Sequence, residues 1–321
     1  MTKHILIISG SRAEWGLLQP VARELISCGQ RVTVLATASH LHSQSGYSVE
    51  EIIADQGLAL EMVYITPESE TDSTSLMFAT LGNAFIKLPA VLDKLQPDLV
   101  VLLGDRYEIF AAATVCRLRG IRIAHISGGE LTAGAFDDCL RHCITKLSDL
   151  HFTATEEYRK RVIQLGEQPG RVFNVGELAL AGLDRLQLKS REQLEMLLQT
   201  DLSEYFLVTV HSETCFPGAG LAIAETLVKL FKSEFAATGI VFTGANADPE
   251  GEQINALLEQ EAARNDLFTF VRSLGRINYL SLARGAVCVI GNSSSGIAEV
   301  PALATPVVNI GRRQDGRPHG S

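Results

Sequence analysis

Short, mostly apolar runs alternate with longer amphipathic segments along the first half of the chain. The runs cover residues 5–8, 32–36, 99–103, 121–126 and 150–153. Apolar residues recur at helical spacing between them, at 17–26, 76–95 and 107–119. Continuous apolar strands that alternate with helices are typical of a parallel sheet covered on both faces. The first half therefore predicts a doubly wound α/β domain.

A second series of the same kind follows Gly176. Its predicted strands lie at 206–210, 240–243, 268–271, 287–290 and 307–310, with helices at 222–235, 251–263, 277–283 and 296–302. We expect two Rossmann-like domains, residues 1–175 and 176–321, which face a cleft and are joined by a linker near 175–189.

The predicted strand at 307–310 is followed only by residues 311–321, which are rich in Gly and Arg. A strand in that position with no helix after it leaves one face of its sheet uncovered. We therefore expect the C-terminus to be truncated and the second domain to be incomplete.

Composition and charge narrow the classes of ligand. The 321 residues are 46% hydrophobic and carry a formal net charge of −9. Such a chain lacks the broad basic field that nucleic-acid binding needs. An anionic ligand must then be held by a few local arginines and by backbone N–H groups.

The cysteines and the apolar runs indicate a cytoplasmic protein. Six cysteines are scattered without a CxxC pair, so we expect buried, reduced thiols rather than a disulfide framework or a zinc site. We identify no signal peptide and no uninterrupted apolar run of the roughly 18 residues that a membrane span needs. No membrane association is expected.

Two polar motifs follow predicted strands of the first half. Residues 10–14 (GSRAE) turn into a helix, where N–H groups and Arg12 favour an anion. Residues 104–108 (GDRYE) place Asp105 and Arg106 where open α/β sheets bind ligands. A plain turn with a solvated Arg12, and an Asp105 that only caps the next helix, are the structural alternatives.

A third motif, residues 125–130 (HISGGE), is more specific. Its glycine pair lets a ligand approach the backbone, and Glu130 would reach the same crevice. Asp137 and Asp138 come shortly afterwards. Clustered carboxylates of this kind act as general acid and base when burial separates their pKa values. Alternatively, the two aspartates only decorate a helix N-terminus.

The second half offers groups suited to a nucleotide. His211 ends a predicted strand and is placed to contact a diphosphate or assist a leaving group, although a lone histidine is often structural. The loop 291–296 (GNSSSG) presents hydroxyls and N–H groups to a phosphate but lacks the lysine of a P-loop. Further candidates, each also explicable by a turn, a helix cap or a solvated tail, are Asn246, Asp248, Glu299, Arg313 and Arg317.

Taken together, these motifs resemble the hydrolysing UDP-N-acetylglucosamine 2-epimerases of sialic acid synthesis. The resemblance rests on the ordered segments 10–14, 104–108, 128–130, 141–147, 291–296 and 309–317. It implies two Rossmann-like domains in the glycosyltransferase-B architecture, with the sugar and the catalytic carboxylates on the N-terminal domain and the nucleotide on the C-terminal one. Family members continue with further helices after the Gly-Arg segment, which agrees with the expected truncation.

The resemblance also assigns roles to residues. Asp105, Glu130 and Asp137 would be the catalytic carboxylates, with His211 assisting, and His40 would lie on the sugar side. The expected UDP contacts are Arg12, Arg106, His211, Asp248, Ser293, Ser294, Glu299 and Arg313. One departure is Ser127, because many members have a catalytic glutamate at that position.

The implied reaction converts UDP-N-acetylglucosamine into N-acetylmannosamine and UDP by elimination and then hydration, with no metal or redox cofactor. A homodimer is expected, since the family commonly forms dimers. Ser127 leaves open the same chemistry on a UDP- or GDP-linked 2,4-diacetamido-2,4,6-trideoxyhexose. A non-hydrolysing epimerase, a glycosyltransferase of similar architecture and a nucleotide-sugar-binding module without turnover also remain as alternatives.

Overall fold

The structure, a computed structural model, describes residues 2–42, 47–55, 57–68, 73–132, 136–246 and 250–317. These residues form two compact units. Unit 1 comprises Met1–Glu130 and Asp137–Ala181, and unit 2 comprises Leu131–Phe136 and Gly182–Ser321. The chain thus changes unit within the segment 175–189 that was predicted as the linker. Whether the two sheets share a cleft stays a prediction.

The short segment Leu131–Phe136 differs from the predicted boundary, because it belongs to unit 2 although it lies inside 1–175. The backbone N–H of Phe136 donates to Thr214 Oγ1 at 3.1 Å. Arg317 donates to the carbonyl of Leu131 at 3.2 Å and to Thr132 Oγ1 at 3.3 Å. The N–H of Phe136 and the carbonyl of Leu131 are therefore satisfied by residues far away in sequence, which no local pattern could indicate.

Unit 1 is built on one fully parallel sheet. Its strands are β1 (His4–Ser9), β2 (Arg31–Thr37), β3 (Ala59–Val63), β4 (Leu99–Leu103), β5 (Ile123–Ile126), β6 (Leu150–Thr153) and β7 (Val172–Asn174). The spatial order is β3-β2-β1-β4-β5-β6-β7. The helices are α1 (Arg12–Ser27), α2 (Val49–Ile53), α3 (Ser73–Leu95), α4 (Tyr107–Leu118), α5 (Asp137–Leu147) and α6 (Glu156–Gln164).

The sheet of unit 1 is buried on both faces, as the apolar runs predicted. Along β1, Leu6 and Ile8 pack into a core with α3 and α4. The alternate residues Ile5 and Ile7 pack into a second core with α1 and α2. Side chains that alternate along a strand reach opposite faces, so a strand buried on both faces has no polar stripe.

Helix α3 has one property that the sequence pattern did not indicate. Its residues Thr74–Leu95 form a helix that is long and apolar enough to cross a membrane. Ala84, Leu88 and Leu92 are nevertheless buried against the sheet of unit 1. Only 22% of this stretch is buried, and a single helix of this kind is weak evidence of membrane association.

Unit 2 repeats the design with a shorter parallel sheet. Its strands are β8 (Tyr205–Thr209), β9 (Gly239–Thr243), β10 (Phe268–Val271), β11 (Cys288–Gly291) and β12 (Val307–Asn309), in the order β10-β9-β8-β11-β12. The helices are α7 (Arg191–Leu198), α8 (Ala219–Glu234), α9 (Gly251–Ala262), α10 (Gly275–Gly285) and α11 (Glu299–Ala302). The prediction of two Rossmann-like domains is thereby confirmed.

Some predicted elements differ from the structure. Strands β3 and β7 are absent from the prediction: β7 is short, and β3 lies at the sheet edge, where it is largely uncovered and has no continuous apolar run. The predicted helix 296–302 is divided into a 3-10 turn, Ser294–Gly296, and α11. The 3-10 turn begins where Ser293 Oγ accepts from the N–H of Ser295 at 3.4 Å.

The prediction that the cysteines are mostly buried is wrong. All six are free thiols, but of these only Cys116 is buried. Cys28, Cys139, Cys143 and Cys215 are exposed. Cys139 and Cys143 are four apart in α5, so they share one helix face, and that face points outward. The phase of the helix, rather than the apolar character of the neighbourhood, decides their exposure.

We expect Phe242→Ala to destabilise the protein by about 3–5 kcal/mol, because it leaves a cavity in a closed core. Phe242 is fully buried, with ring centroids 6.2 Å from Phe231 and 5.3 Å from Phe268. Urea denaturation measures the change. The control Phe78→Ala, at a side chain that is 64% exposed, should shift stability by less than about 0.5 kcal/mol. Equal effects would contradict the core assignment.

Candidate functional site

Predicted site residues of unit 1 gather where β4 and β5 end, around the guanidinium of Arg141. Its Nη2 donates to Asp105 Oδ2, and its Nη1 donates to the Ser127 carbonyl at 3.1 Å. The same Nη1 lies 3.4 Å from Glu130 Oε2. Arg141 is 2% exposed and Glu130 5% exposed. The structure thus brings Asp105 and Glu130 together on one buried cation, which the sequence reasoning did not identify.

Burial lowers the pKa of Arg141, but Asp105 and Glu130 outweigh that effect and the net pKa is raised. Asp137 begins α5, one turn before Arg141, and adds to the raising effect with Asp138. The site is therefore a patch of carboxylates held around one permanently charged group. Such a patch provides the proton-transfer groups that general acid–base chemistry needs.

His125 ties the ends of β4 and β5 together. Its Nε2 lies 2.7 Å from the Gly104 carbonyl and its Nδ1 lies 3.2 Å from Thr145 Oγ1. A carbonyl only accepts, so Nε2 carries the proton. Burial is the main cause that lowers the His125 pKa to about 3. The ring is therefore neutral, and it fixes the turn that presents Asp105.

A second pair of buried carboxylates, Glu14 and Glu108, lies at the end of β1. Glu14 Oε2 accepts from the N–H of Gly10 at 2.6 Å, and Glu108 Oε1 accepts from Arg106 Nε at 2.6 Å. A Cβ on Gly10 would lie 2.8 Å from Glu108 Oε1, so the glycine permits this approach. Sequence reasoning missed both glutamates, although they close the motifs 10–14 and 104–108.

Burial and the nearby Glu108 raise the pKa of Glu14 to about 8. Glu14 therefore holds a proton at neutral pH, and Glu108 faces Arg106. Arg106 is partly buried and is held by this ion pair, so its place beside the β4 end is set by a carboxylate two residues away.

Arg12 and His40 lie near the same strand end. Arg12 Nε forms an ion pair with Glu51 Oε1 at 2.7 Å. His40 has no exposed surface, and its ring nitrogens lie 2.9 Å from Ser9 Oγ and 2.9 Å from Ser48 Oγ. Burial, followed by Arg12, lowers the His40 pKa to about 4. In this arrangement a neutral His40 supports the end of β1, and its contact with a sugar stays a prediction.

In unit 2, His211 is clamped by Asn292. The N–H of His211 donates to Asn292 Oδ1 at 2.7 Å, and Asn292 Nδ2 donates to the His211 carbonyl at 2.9 Å. His211 Nδ1 accepts from the N–H of Asn246 at 3.1 Å, so Nε2 carries the proton. Burial and then Arg313 lower the His211 pKa to about 3. His211 is therefore a neutral hydrogen-bond donor and not a cation.

The loop after β11 is tightly built. Gly291 has φ 144°, and a Cβ there would collide with the Thr209 carbonyl, so only glycine fits. Ser293 Oγ accepts from Ser295 Oγ at 3.1 Å, and Ser295 Oγ lies 2.5 Å from Tyr279 Oη. Ser294 remains exposed at the turn.

Arg313 is held beside this loop by two buried residues, Asn292 and Glu213. Its Nη1 donates to the Asn292 carbonyl at 3.4 Å, which also accepts from Gln314 Nε2 at 2.8 Å. Glu213 Oε1 accepts from the N–H groups of Arg312 at 2.8 Å and Arg313 at 3.2 Å. Glu213 and Gln314 were not predicted as site residues.

The remaining predicted residues lie in different settings. Glu299 pairs with Arg276 at 3.5 Å. Asn246 contributes its backbone N–H to His211. Asp248 lies outside the described residues. Arg317 donates to Leu131 and Thr132, as described above.

Glu14 gives a pH prediction with a definite sign. The folded state holds its proton up to a pKa of about 8, whereas the unfolded chain loses it near the ordinary value of 4.5. Stability from this group therefore falls as pH rises between those values and levels off above them. We expect Glu14→Gln to be progressively more stable, relative to the wild type, from pH 5 to pH 8.

Urea denaturation across that pH range measures the difference between the two proteins. The control Glu24→Gln changes an exposed glutamate of the same helix and should show a constant difference. A constant difference for Glu14→Gln as well would mean that Glu14 is ionised in the folded protein.

Comparisons with known proteins agree with the motifs. Residues 27–321 match the family UDP-N-acetylglucosamine 2-epimerase. The chain is 38% identical to GDP/UDP-N,N'-diacetylbacillosamine 2-epimerase (hydrolyzing) of Campylobacter jejuni, over 98% of this chain and 82% of that protein. It is 34% identical to polysialic acid biosynthesis protein P7 of Escherichia coli, over 99% of this chain and 81% of that protein.

Among solved structures, the fold is similar to UDP-GlcNAc 2-epimerase from Neisseria meningitidis bound to UDP-GlcNAc. The TM-score is 0.78 at 19% identity, over 95% of this chain and 82% of that one. At this sequence identity, the structural similarity supports the fold alone. The family match and the relatives above 30% identity go further: this chain belongs to the UDP-N-acetylglucosamine 2-epimerase family.

Proposed function

We propose that this chain is a hydrolysing 2-epimerase, which converts UDP-N-acetylglucosamine and water into N-acetylmannosamine and UDP. The observation that carries the proposal is the pair Asp105 and Glu130, held on buried Arg141 at the ends of β4 and β5. In an open α/β sheet this is the edge at which ligands bind. Carboxylates placed there are suited to moving a proton on a bound sugar.

The first step breaks the bond between the anomeric carbon and the diphosphate oxygen. The C2–H of the sugar is weakly acidic, so departure of UDP must lead and the negative charge on the diphosphate needs donors. In unit 2, Arg313 supplies a cation, His211 supplies a neutral Nε2–H, and the exposed turn at Ser294 supplies hydroxyl and N–H groups. Arg12 and Arg106 are further candidates at the ends of β1 and β4.

We assign removal of the C2 proton to Asp105. Its side chain is 20% exposed, against 7% for Glu130, so Asp105 is the more accessible of the two carboxylates on Arg141. Loss of this proton and of UDP leaves a 2-acetamidoglucal. Glu130 and Asp137 then serve the addition of water across the double bond, which gives the C2 epimer. The nucleotide sugar and one water molecule supply all the atoms of UDP and the free sugar, so the proposed steps need no metal or redox cofactor.

A second substrate is favoured by one specific observation. The relative with 38% identity is named as an epimerase of GDP/UDP-N,N'-diacetylbacillosamine. That sugar also carries an acetamido group at C2 and differs at C4 and C6, so the same elimination and hydration apply. Ser127, which replaces a glutamate found in many members, fits a site adapted to a different sugar.

Proton NMR in deuterated water tests the reaction with both nucleotide sugars. We expect free UDP and a released 2-acetamido sugar with inverted C2 and deuterium at that carbon, because the C2 proton exchanges through the base. The sugar with the higher kcat/KM identifies the substrate. Retention of the epimer on UDP would mean a non-hydrolysing epimerase. Unchanged spectra with both sugars would refute the proposal.

Asp105→Asn should abolish turnover while UDP still binds, because the amide cannot accept the C2 proton and the proposed nucleotide donors of unit 2 are unchanged. Coupled UDP release and calorimetric UDP titration measure the two properties. The control Asp93→Asn changes an exposed aspartate that pairs with Arg119 at 2.8 Å and should be fully active. Normal turnover of Asp105→Asn would remove Asp105 from the mechanism.

A further inference from the structure

Arg141 stands out because its side chain joins three separate parts of the candidate site. Its acceptors are a carboxylate after β4, a backbone carbonyl after β5, and the carboxylate of Glu130. The side chain comes from α5, whose Ile144 is fully buried in the core of unit 1. The guanidinium is thus a rigid part of the fold that reaches into a group of reactive residues.

A guanidinium suits this place better than an ammonium. Its planar fork directs Nη1 and Nη2 to different acceptors at the same time, whereas a lysine offers one compact charge. Here Nη2 serves Asp105, and Nη1 serves both the Ser127 carbonyl and Glu130. Replacement by lysine would keep the charge and lose the fork.

Ser127, whose carbonyl accepts from Arg141, has an unfavourable backbone conformation. Ser127 has φ 63°, in the left-handed region that residues with a Cβ rarely adopt. Such a conformation persists only where the surroundings hold it. Two hydrogen bonds stabilise this conformation. Arg141 Nη1 donates to the Ser127 carbonyl, and the N–H of Ser127 donates to the Phe152 carbonyl at 2.9 Å.

We propose that Arg141 is a positioning residue, which holds the carboxylates of Asp105 and Glu130 and the turn at Ser127 in the geometry that the reaction requires. The proposal rests on the proposed function, because it concerns the same carboxylates. Arg141 acts through these groups, and its burial leaves little surface for the substrate.

Kinetics of Arg141→Ala and Arg141→Lys test this role. We expect kcat to fall by about 100-fold in both variants, since a misplacement of about 1 Å in a reacting group has that effect. KM and UDP affinity should stay unchanged, because the nucleotide groups are untouched. Added guanidinium should restore part of the kcat of Arg141→Ala but not of Arg141→Lys, whose side chain fills the space.

Arg161→Ala is the matched control. Arg161 is partly buried and donates to the Gly129 carbonyl at 2.5 Å in the same loop, but its ion pair is with Glu157. This variant should keep the wild-type kcat. A general loss of packing would instead lower kcat in the control as well, without rescue by guanidinium.

Unchanged kcat in Arg141→Ala would overturn the proposal. A loss of kcat that guanidinium does not restore, in a variant whose Asp105 and Glu130 keep their original positions, would overturn it as well. If Arg141→Ala does not fold, Arg141→Lys decides by its kcat and KM.

A wild type without turnover would refute the proposed function alone. Crystal structures then decide on Arg141: displaced side chains of Asp105 and Glu130 over an unchanged β4 and β5 support the inference, and undisturbed side chains overturn it.

Discussion

Each unit is organised by one geometric constraint, the reversal of strand order beside its first strand. In unit 1 the chain winds outward from β1 to β3 and then returns to β4 on the other side of β1, and unit 2 repeats this with β8 and β11. Crossovers between parallel strands are right-handed, so helices that leave in opposite directions cover opposite faces. The loops after the two central strands therefore diverge and leave a place for a ligand. Asp105 and Asn292 stand in such loops.

The buried ionisable groups at these strand ends share a second property. Each one either forms an ion pair with an opposite charge or is held in its neutral form. Arg141 is matched by two carboxylates, and Glu108 is matched by Arg106. Glu14 instead keeps a proton, since burial raises its pKa to about 8. The buried histidines at the strand ends are neutral for the same reason, and the hydrogen bonds of His125 and His211 define which nitrogen of each ring carries the proton.

The proposed reaction places different demands on the two units, and their residues differ accordingly. Unit 1 presents carboxylates that are held at strand ends by a guanidinium and by a neutral histidine. Unit 2 presents hydrogen-bond donors, with Asn292 as the link between His211, Gln314 and Arg313. In the proposed reaction the sugar needs a base for its C2 proton and a water molecule for hydration, and the leaving diphosphate needs hydrogen-bond donors. The division of groups fits the proposal that one unit serves the sugar and the other the nucleotide.

Much of this molecule was determined by sequence alone. The apolar runs predicted ten of the twelve described strands with boundaries close to those of the structure, because a strand buried on both faces is apolar at most positions. The motifs after these strands identified Asp105, Glu130 and the loop around Ser293 as candidates, and their order indicated the family.

The tertiary structure decided what depends on distant parts of the chain. It added the uncovered edge strand β3 and moved Leu131–Phe136 into unit 2. It also showed that Arg141 joins Asp105 to Glu130, and that the side chains of Glu14 and Glu108 both approach Gly10. Periodicity records which local positions are buried. It does not record which buried polar groups meet across the sheet, because those partners are chosen by long-range packing and by the need to satisfy every buried charge.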